Sequence, residues 1–190
     1  ENYKFKDGMI HFDEPARAAG QESMLGFAAD PIPVVRVGFV GLGMRGPSAV
    51  IRFCQIPGIE IVALCDYEEK RAEAQQVHLR NAGLAPAAIY SGEKGYEELC
   101  KRPDVDLIYI ATDWNHHFPV AKFAMENGKH AAIEVPSAMN LEQCWDLINL
   151  SEKTRLHCFI LENCCYDDYE MKSLLMAQDG VFGEVIRAEG

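Results

Sequence analysis

The sequence predicts an α/β protein with a doubly wound parallel sheet, truncated where a second, α+β domain would begin. Three observations carry this expectation. Apolar runs of strand length alternate with segments of helical period along most of the chain. The runs are apolar at nearly every position, the pattern of strands covered on both faces of a sheet. Three of the helical segments close on a glycine, Gly83, Gly128 and Gly180, the residue that most easily takes the left-handed conformation ending a helix.

Taken in order, residues 1–33 read as an N-terminal arm. Gly8, Pro15, Gly20, Pro31 and Pro33 break any long period, and the alanines leave only a short helical option around Arg17. Residues 34–165 read as one domain. Its strands are expected over Val34–Val40, Ile59–Cys65, Leu107–Ala111, Ala131–Val135 and His157–Leu161. Its helices are expected over Pro47–Gln55, Glu68–Ala82, Tyr96–Lys101, Pro119–Asn127 and Leu141–Lys153. Residues 166–190 read as a linking helix, Tyr166–Gln178, and then a new strand from Gly183 to Glu189. That strand has no partner in the sequence before it, so the chain is expected to be cut at the start of the second domain. It also begins at Glu1 rather than Met, so a processed or cut N-terminus is expected. Cytoplasmic placement and export after removal of a signal are both open.

Composition narrows the function classes. The 190 residues are 48% hydrophobic and 25% charged, as in a soluble globular protein. A net charge of −11 makes nucleic acid and anionic membranes poor partners. No apolar stretch approaches the roughly 18–20 residues that span a bilayer. The seven cysteines are odd in number and show no C-x-x-C pair and no His/Cys spacing that would hold a metal. They read as small buried hydrophobes with free thiols. The neighbours Cys164 and Cys165 also admit a vicinal disulfide.

The most specific motif is Gly41-Leu42-Gly43-Met44-Arg45-Gly46, a G-x-G-x-x-G between an apolar strand and a helix. Asp66 ends the next apolar run. Together these form the dinucleotide-binding fingerprint of a Rossmann-type sheet. Gly41 allows a tight turn, Gly43 lets backbone approach a pyrophosphate, and Gly46 lets the helix pack closely. The helix N-terminus then faces the phosphates. Asp66 would accept from the adenosine ribose hydroxyls and repel a 2′-phosphate, which favours NAD over NADP. Arg45 softens that preference, because it would reach a phosphate.

Four further stretches narrow the reading: Tyr109 to His117, Ala132-Ile133-Glu134-Val135-Pro136, Leu161 to Asp167, and Gly180 to Val185. With the glycine loop they resemble the Gfo/Idh/MocA oxidoreductase superfamily from about Pro33 to Gly190. More narrowly, they are similar to the NAD-dependent glycosidases of glycoside hydrolase family 109, typified by α-N-acetylgalactosaminidase. The superfamily's usual Glu-Lys-Pro stands here as Glu134-Val135-Pro136. Valine cannot donate a hydrogen bond or carry charge, which argues against a simple dehydrogenase built on that lysine. The glycosidase branch shows the same kind of replacement.

The resemblance implies NAD as a recycled cofactor. Hydride leaves carbon 3 of a sugar, the carbon 2 proton is lost, the glycosidic oxygen is eliminated, water adds, and hydride returns. It also implies residue roles. Met44 and Arg45 would lie against the pyrophosphate and Asp66 against the ribose. Trp114, Asn115, His116 and His117 would line the nicotinamide side. Glu134 and Val135 would flank the nicotinamide ribose, and Asn163 would hydrogen-bond the cofactor. Tyr166 and His117 are the candidates for acid/base or sugar contacts. Plainer readings stand beside these: His116 and His117 as caps of a helix starting near Pro119, Trp114 and Tyr166 as packing aromatics, and Glu68 to Arg71 as a solvated helix face. The expected partner is a small-molecule sugar or glycoside. Alternatives are an NAD-dependent sugar or cyclitol dehydrogenase, and an NAD-binding module inactive as an isolated chain. The extended arm is also compatible with wrapping a neighbouring subunit in a homo-oligomer.

Overall fold

The computed structural model describes residues 3–6, 9–12 and 17–187. Two strands at the start, β1 (Tyr3–Lys6) and β2 (Met9–Phe12), pair antiparallel as a separate hairpin. The sequence reading gives the arm no such element. From Arg17 to Val34 the arm has turns and no helix, so the helical option around Arg17 does not form among the described residues.

The body is a six-stranded sheet, and every neighbouring pair in it is parallel. Its strands are β3 (Val35–Val40), β4 (Ile59–Asp66), β5 (Ala88–Ser91), β6 (Leu107–Ile110), β7 (His130–Ile133) and β8 (Cys158–Ile160). They lie in the order β5-β4-β3-β6-β7-β8. The chain steps outward from β3 to one side, then returns and steps outward to the other. This is the doubly wound order, with its switch point between β3 and β6. β5 is absent from the sequence-based expectation. It is four residues long and starts at Ala88, where alanines blur the strand signal.

Helices α1 (Gly46–Phe53), α2 (Glu69–Asn81), α3 (Gly95–Cys100), α4 (Trp114–Glu126) and α5 (Leu141–Thr154) connect the strands. The sheet separates two cores. Phe39, Val50, Leu64, Leu79 and Tyr109 fill one, and Leu99, Ile108, Ile110, Ala124, Met125 and Ile133 fill the other. Ile108 and Ile110 point one way and Tyr109 the other, as the two-residue period of a strand requires. Each fully buried large side chain contributes about 1.5–3 kcal/mol.

Two boundaries differ from expectation for physical reasons. α4 starts at Trp114, not near Pro119, because the Asp113 side chain caps it by accepting from the Asn115 N–H. Pro119 lies inside the helix. Its missing N–H deletes one rung, at the Asn115 carbonyl, close enough to the end for the helix to survive. The expected helix from Tyr166 splits into a 3-10 turn, Asn163–Tyr166, and α6 (Asp168–Gln178). No residue of α6 is buried. From Gly183 to Arg187 no strand forms, and residues 188–190 lie outside the described part. The cysteines are all free, but Cys144, Cys164 and Cys165 are exposed rather than buried. Burial pushes the Cys65 and Cys100 thiols up to about 12.

At the N-terminal end of the switch point, Arg36 binds both carboxylate oxygens of Asp106, at 2.6 and 2.9 Å. That fork holds the Asp106 carboxyl below the usual carboxylate range despite partial burial. The second half of the arm packs on its own domain. Arg17 pairs with the buried Glu152. The Gln21 amide donates to Asn149, and the Arg155 guanidinium lies 4.5 Å from the Phe27 ring centroid. The Ala29 N–H donates to His157 Nε2, while the His157 backbone N–H donates to His130 Nδ1.

The His130 ring therefore acts as an acceptor through Nδ1, which it does only when neutral. Burial, and then the neighbouring His157, hold His130 below its ordinary value, against an opposing pull from Asp106. A base with a depressed folded-state value stabilises the fold fully above about pH 6.5 and loses that contribution as pH falls toward the folded value. Hydrogen exchange at the His157 amide, which donates to His130, corrected for intrinsic rate, is expected to accelerate between pH 7.5 and 5. His130→Asn, which keeps an acceptor without a titrating ring, is expected to flatten that dependence.

Candidate functional site

The carboxyl ends of the strands open onto a cleft of about 1190 Å³ at the switch point. The glycine loop forms its floor, and its three glycines differ in what surrounds them. Gly41 has φ +93°, and a Cβ there would lie 2.4 Å from the Ala111 backbone. A Cβ on Gly46 would lie 2.1 Å from the Gly41 carbonyl oxygen. Gly43 differs: a Cβ would meet only Arg71 Nη1, at 3.7 Å, an ordinary contact. Packing within the protein therefore does not require glycine at 43, and the space beside it is open to the cleft. α1 follows with no side-chain cap at its N-terminus, so its first N–H groups remain available to an anion.

Asp66 ends β4 and is 6% exposed. One carboxylate oxygen accepts from the Leu42 N–H at 2.7 Å and the other from the Glu68 N–H at 3.0 Å. Asp66 is thus a pin for the glycine loop, with lone pairs still available to a ligand hydroxyl. Arg71 lies 3.8 Å from Asp66, 2.9 Å from Glu68, and on the cleft wall. Reading Glu68 to Arg71 as a solvated face misses Arg71. The available signal is its place in the first turn of the helix that follows Asp66.

At the other end, Glu134 follows β7 and Asn163 opens the 3-10 turn after β8. Arg45 bridges them: Nε donates to Glu134 Oε1 at 3.0 Å and Nη2 to Asn163 Oδ1 at 3.2 Å. The bond to Glu134 holds the Arg45 guanidinium above its ordinary value. Tyr109 Oη also donates to Glu134 Oε1. Burial first, then the Glu134 carboxylate, push the Tyr109 hydroxyl up, so it stays protonated and donating. Val135 lines the cleft beside Glu134, 43% exposed, and its bond to Pro136 is cis. Met44 stands on the rim, 99% exposed.

Trp114, Asn115, His116 and His117 form the first turn of α4. Trp114 is exposed on the cleft wall. His116 Nδ1 pairs with Asp113 Oδ2. Burial opposes ionisation of Asp113, yet His116 and the Asn115 N–H together hold it below its ordinary value. His117 is 1% exposed, with Nδ1 2.7 Å from the Pro136 carbonyl and Nε2 3.1 Å from the Thr112 carbonyl. Both ring nitrogens face backbone carbonyl oxygens rather than the cleft that the residue borders, so the expectation of a direct acid/base contact at His117 does not fit its geometry. Tyr166 is 80% exposed and does not line the cleft; the 3-10 turn that carries Asn163 to the cleft turns Tyr166 away from it. No cluster of potential metal ligands occurs among the described residues.

Residues 35–161 match the family model described as oxidoreductase family, NAD-binding Rossmann fold. The chain belongs to the Gfo/Idh/MocA oxidoreductase family. NAD is the cofactor of this Gfo/Idh/MocA domain, and the open space at Gly43, the uncapped α1 and the acceptor Asp66 fit it. The domain is 72% identical over 183 residues to glycosyl hydrolase family 109 protein 3 of Phocaeicola vulgatus, covering 96% of the chain and 33% of that relative. It is 55% identical over 188 residues to glycosyl hydrolase family 109 protein 1 of Bacteroides thetaiotaomicron, covering 98% and 40%. The chain thus spans between a third and two-fifths of the length of these curated relatives. Among solved structures it resembles a myo-inositol dehydrogenase from Lactobacillus casei in complex with NAD(H) and myo-inositol. The TM-score is 0.69, at 24% identity, covering 79% of this chain and 43% of that one. An NAD-binding protein from Listeria innocua gives 0.64 at 25% identity, covering 79% and 42%.

Gly41 and Gly43 should separate in experiment. Gly41→Ala is expected to cost about 2 kcal/mol or more by denaturant unfolding, from backbone strain and the collision with Ala111. Gly43→Ala is expected to leave stability within about 0.5 kcal/mol and to weaken NAD binding about tenfold, ~1.4 kcal/mol, by calorimetry. Equal loss of stability in both would overturn this division.

Proposed function

We propose that this chain is the NAD-binding part of an NAD-dependent glycosidase that works by oxidation at carbon 3 of a sugar, elimination, water addition and re-reduction. Val135 on the cleft wall carries the reading. The position after Glu134 offers no donor, cation or proton carrier, so deprotonation of a sugar hydroxyl by that side chain is ruled out. The names of the relatives that match nearly the whole chain support the same branch. When bound, NAD supplies reversible hydride acceptance and return at the sugar carbon.

The residues of this chain then bind and orient. Asp66 accepts from the adenosine ribose while it holds the loop through Leu42. The N–H groups around Gly43 and at the start of α1 receive the pyrophosphate, with Met44 and Arg45 beside it. Glu134 accepts from the nicotinamide ribose, and Asn163 and Val135 close that side. His117 is a positioning residue: its ring, packed between the Thr112 and Pro136 carbonyls, links the two loops that face the nicotinamide. His116, tied to Asp113 through Nδ1, keeps Nε2 for the cofactor or sugar. Tyr166 is given no catalytic role. The chain alone is expected to bind NAD without turning over a glycoside, since it spans only 33% to 40% of the length of the relatives it matches.

The test uses the full-length protein with an α-N-acetylgalactosaminide in deuterium oxide. Deuterium at carbon 2 of the released sugar, with NADH never exceeding the enzyme concentration, is the expected result. Sugar released without deuterium removes the elimination step. NADH accumulating in step with product identifies a dehydrogenase instead.

A further inference from the structure

Glu134 is a buried carboxylate, about nine-tenths removed from solvent, at the end of a strand. Two donors meet on a single oxygen: Tyr109 Oη and Arg45 Nε both bond to Oε1. Among the described residues no donor reaches Oε2, on a side chain that lines the cleft. The orientation of Glu134 is thus set from behind, by Tyr109. Arg45 is half exposed and reaches over from a loop, so it is the less rigid of the two. Tyr109 is rigid because its ring is clamped. It stacks on Phe39 at 5.0 Å between centroids and meets Phe53 edge-on at 5.3 Å. Phe39 and Phe53 themselves meet edge-on at 5.2 Å. The three rings fill the core beneath α1, and Tyr109 is 3% exposed.

We infer that Tyr109 is a positioning residue for the nicotinamide half of the cofactor, acting through Glu134. It holds Oε1 on the protein side so that Oε2 is presented to the nicotinamide ribose. This rests on the reading that Glu134 touches that ribose. Tyr109 itself touches no cofactor atom, and the adenosine half, held by Asp66 and the glycine loop, is independent of it. The three-ring cluster thereby connects core packing under the glycine loop to ligand geometry at the far end of the cleft.

The experiment measures NAD and AMP binding by calorimetry for Tyr109→Phe, Glu134→Gln and the double variant. Phenylalanine keeps the ring cluster and removes only the hydroxyl. In Tyr109→Phe, NAD binding is expected to weaken about tenfold, the scale of one hydrogen bond to a charged group. AMP, which occupies only the adenosine half, is expected to stay within about twofold. The double variant is expected to bind NAD no more weakly than Glu134→Gln alone, because both changes remove one chain of interactions. Equal weakening of NAD and AMP would make Tyr109 a merely structural residue and overturn the inference. So would unchanged NAD binding in Tyr109→Phe while Glu134→Gln binds NAD more weakly; the placement of Glu134 would then survive. Unchanged NAD binding in Glu134→Gln would overturn that placement and the inference together.

Discussion

The geometry of the cleft depends on one close approach, that of the glycine loop to the end of the neighbouring strand. Gly41 leaves β3 with positive φ and lies so near the Ala111–Thr112 backbone that no side chain fits between them. β3 and β6 are adjacent because the sheet reverses there. The loop can therefore cross the switch point at backbone distance only if the residue that turns has no Cβ. Gly46 repeats the constraint one step later, against the Gly41 carbonyl. With those two contacts made, the loop has little freedom left. The Asp66 carboxylate removes more of it by binding the Leu42 N–H. The uncapped N-terminus of α1 is then aimed along the cleft before any ligand arrives. Preorganisation of this kind lowers the ordering cost of binding.

A second constraint is electrostatic. The chain carries a net charge of −11, yet the ligand of this cleft is anionic. Carboxylates occupy both ends of the cleft, Asp66 at one and Glu134 at the other. Each has an arginine within 4 Å and at least one further donor. In the reading proposed above, the carboxylates accept from ribose hydroxyls without presenting an uncompensated negative field to the phosphates between them.

Much of this was legible in the sequence, and the gaps have physical causes. The parallel order, the glycine loop, Asp66 and the position of Glu134 follow from local pattern, because a strand buried on both faces and a turn without Cβ leave clear marks. β5 was illegible because a run of only four residues, with strand formers at just two of them, gives little signal. The start of α4 was misread because proline is a common first helical residue, whereas the decisive cap, Asp113, needs its partner N–H to be seen. His117 and Tyr166 illustrate a deeper limit. Motif position gives neighbourhood, not side-chain direction. One of two adjacent histidines points to the cleft mouth and the other is locked between carbonyls. Tyr109 escaped notice because its strand reads as uniformly apolar, and its hydroxyl finds Glu134, twenty-five residues on, only through the pairing of β6 with β7.

The valine after Glu134 has a consequence that the ion pair makes plain. A carboxylate as buried as Glu134 requires a compensating cation or several donors. With Val135 next to it, that cation cannot come from the adjoining residue. It comes instead from Arg45, at the far side of the sheet's switch point. Compensation from a distant loop differs from compensation by a neighbour, because it couples two regions. Any movement of Arg45 toward a phosphate withdraws charge from Glu134, and any ligand that bonds Glu134 changes what holds Arg45. The Tyr109 hydroxyl remains on Glu134 in either case, since its ring cannot leave the Phe39–Phe53 clamp. With the ligand placed as proposed, the pyrophosphate and nicotinamide ends of the cleft share one arginine, and the tyrosine keeps the carboxylate in place while that arginine is shared.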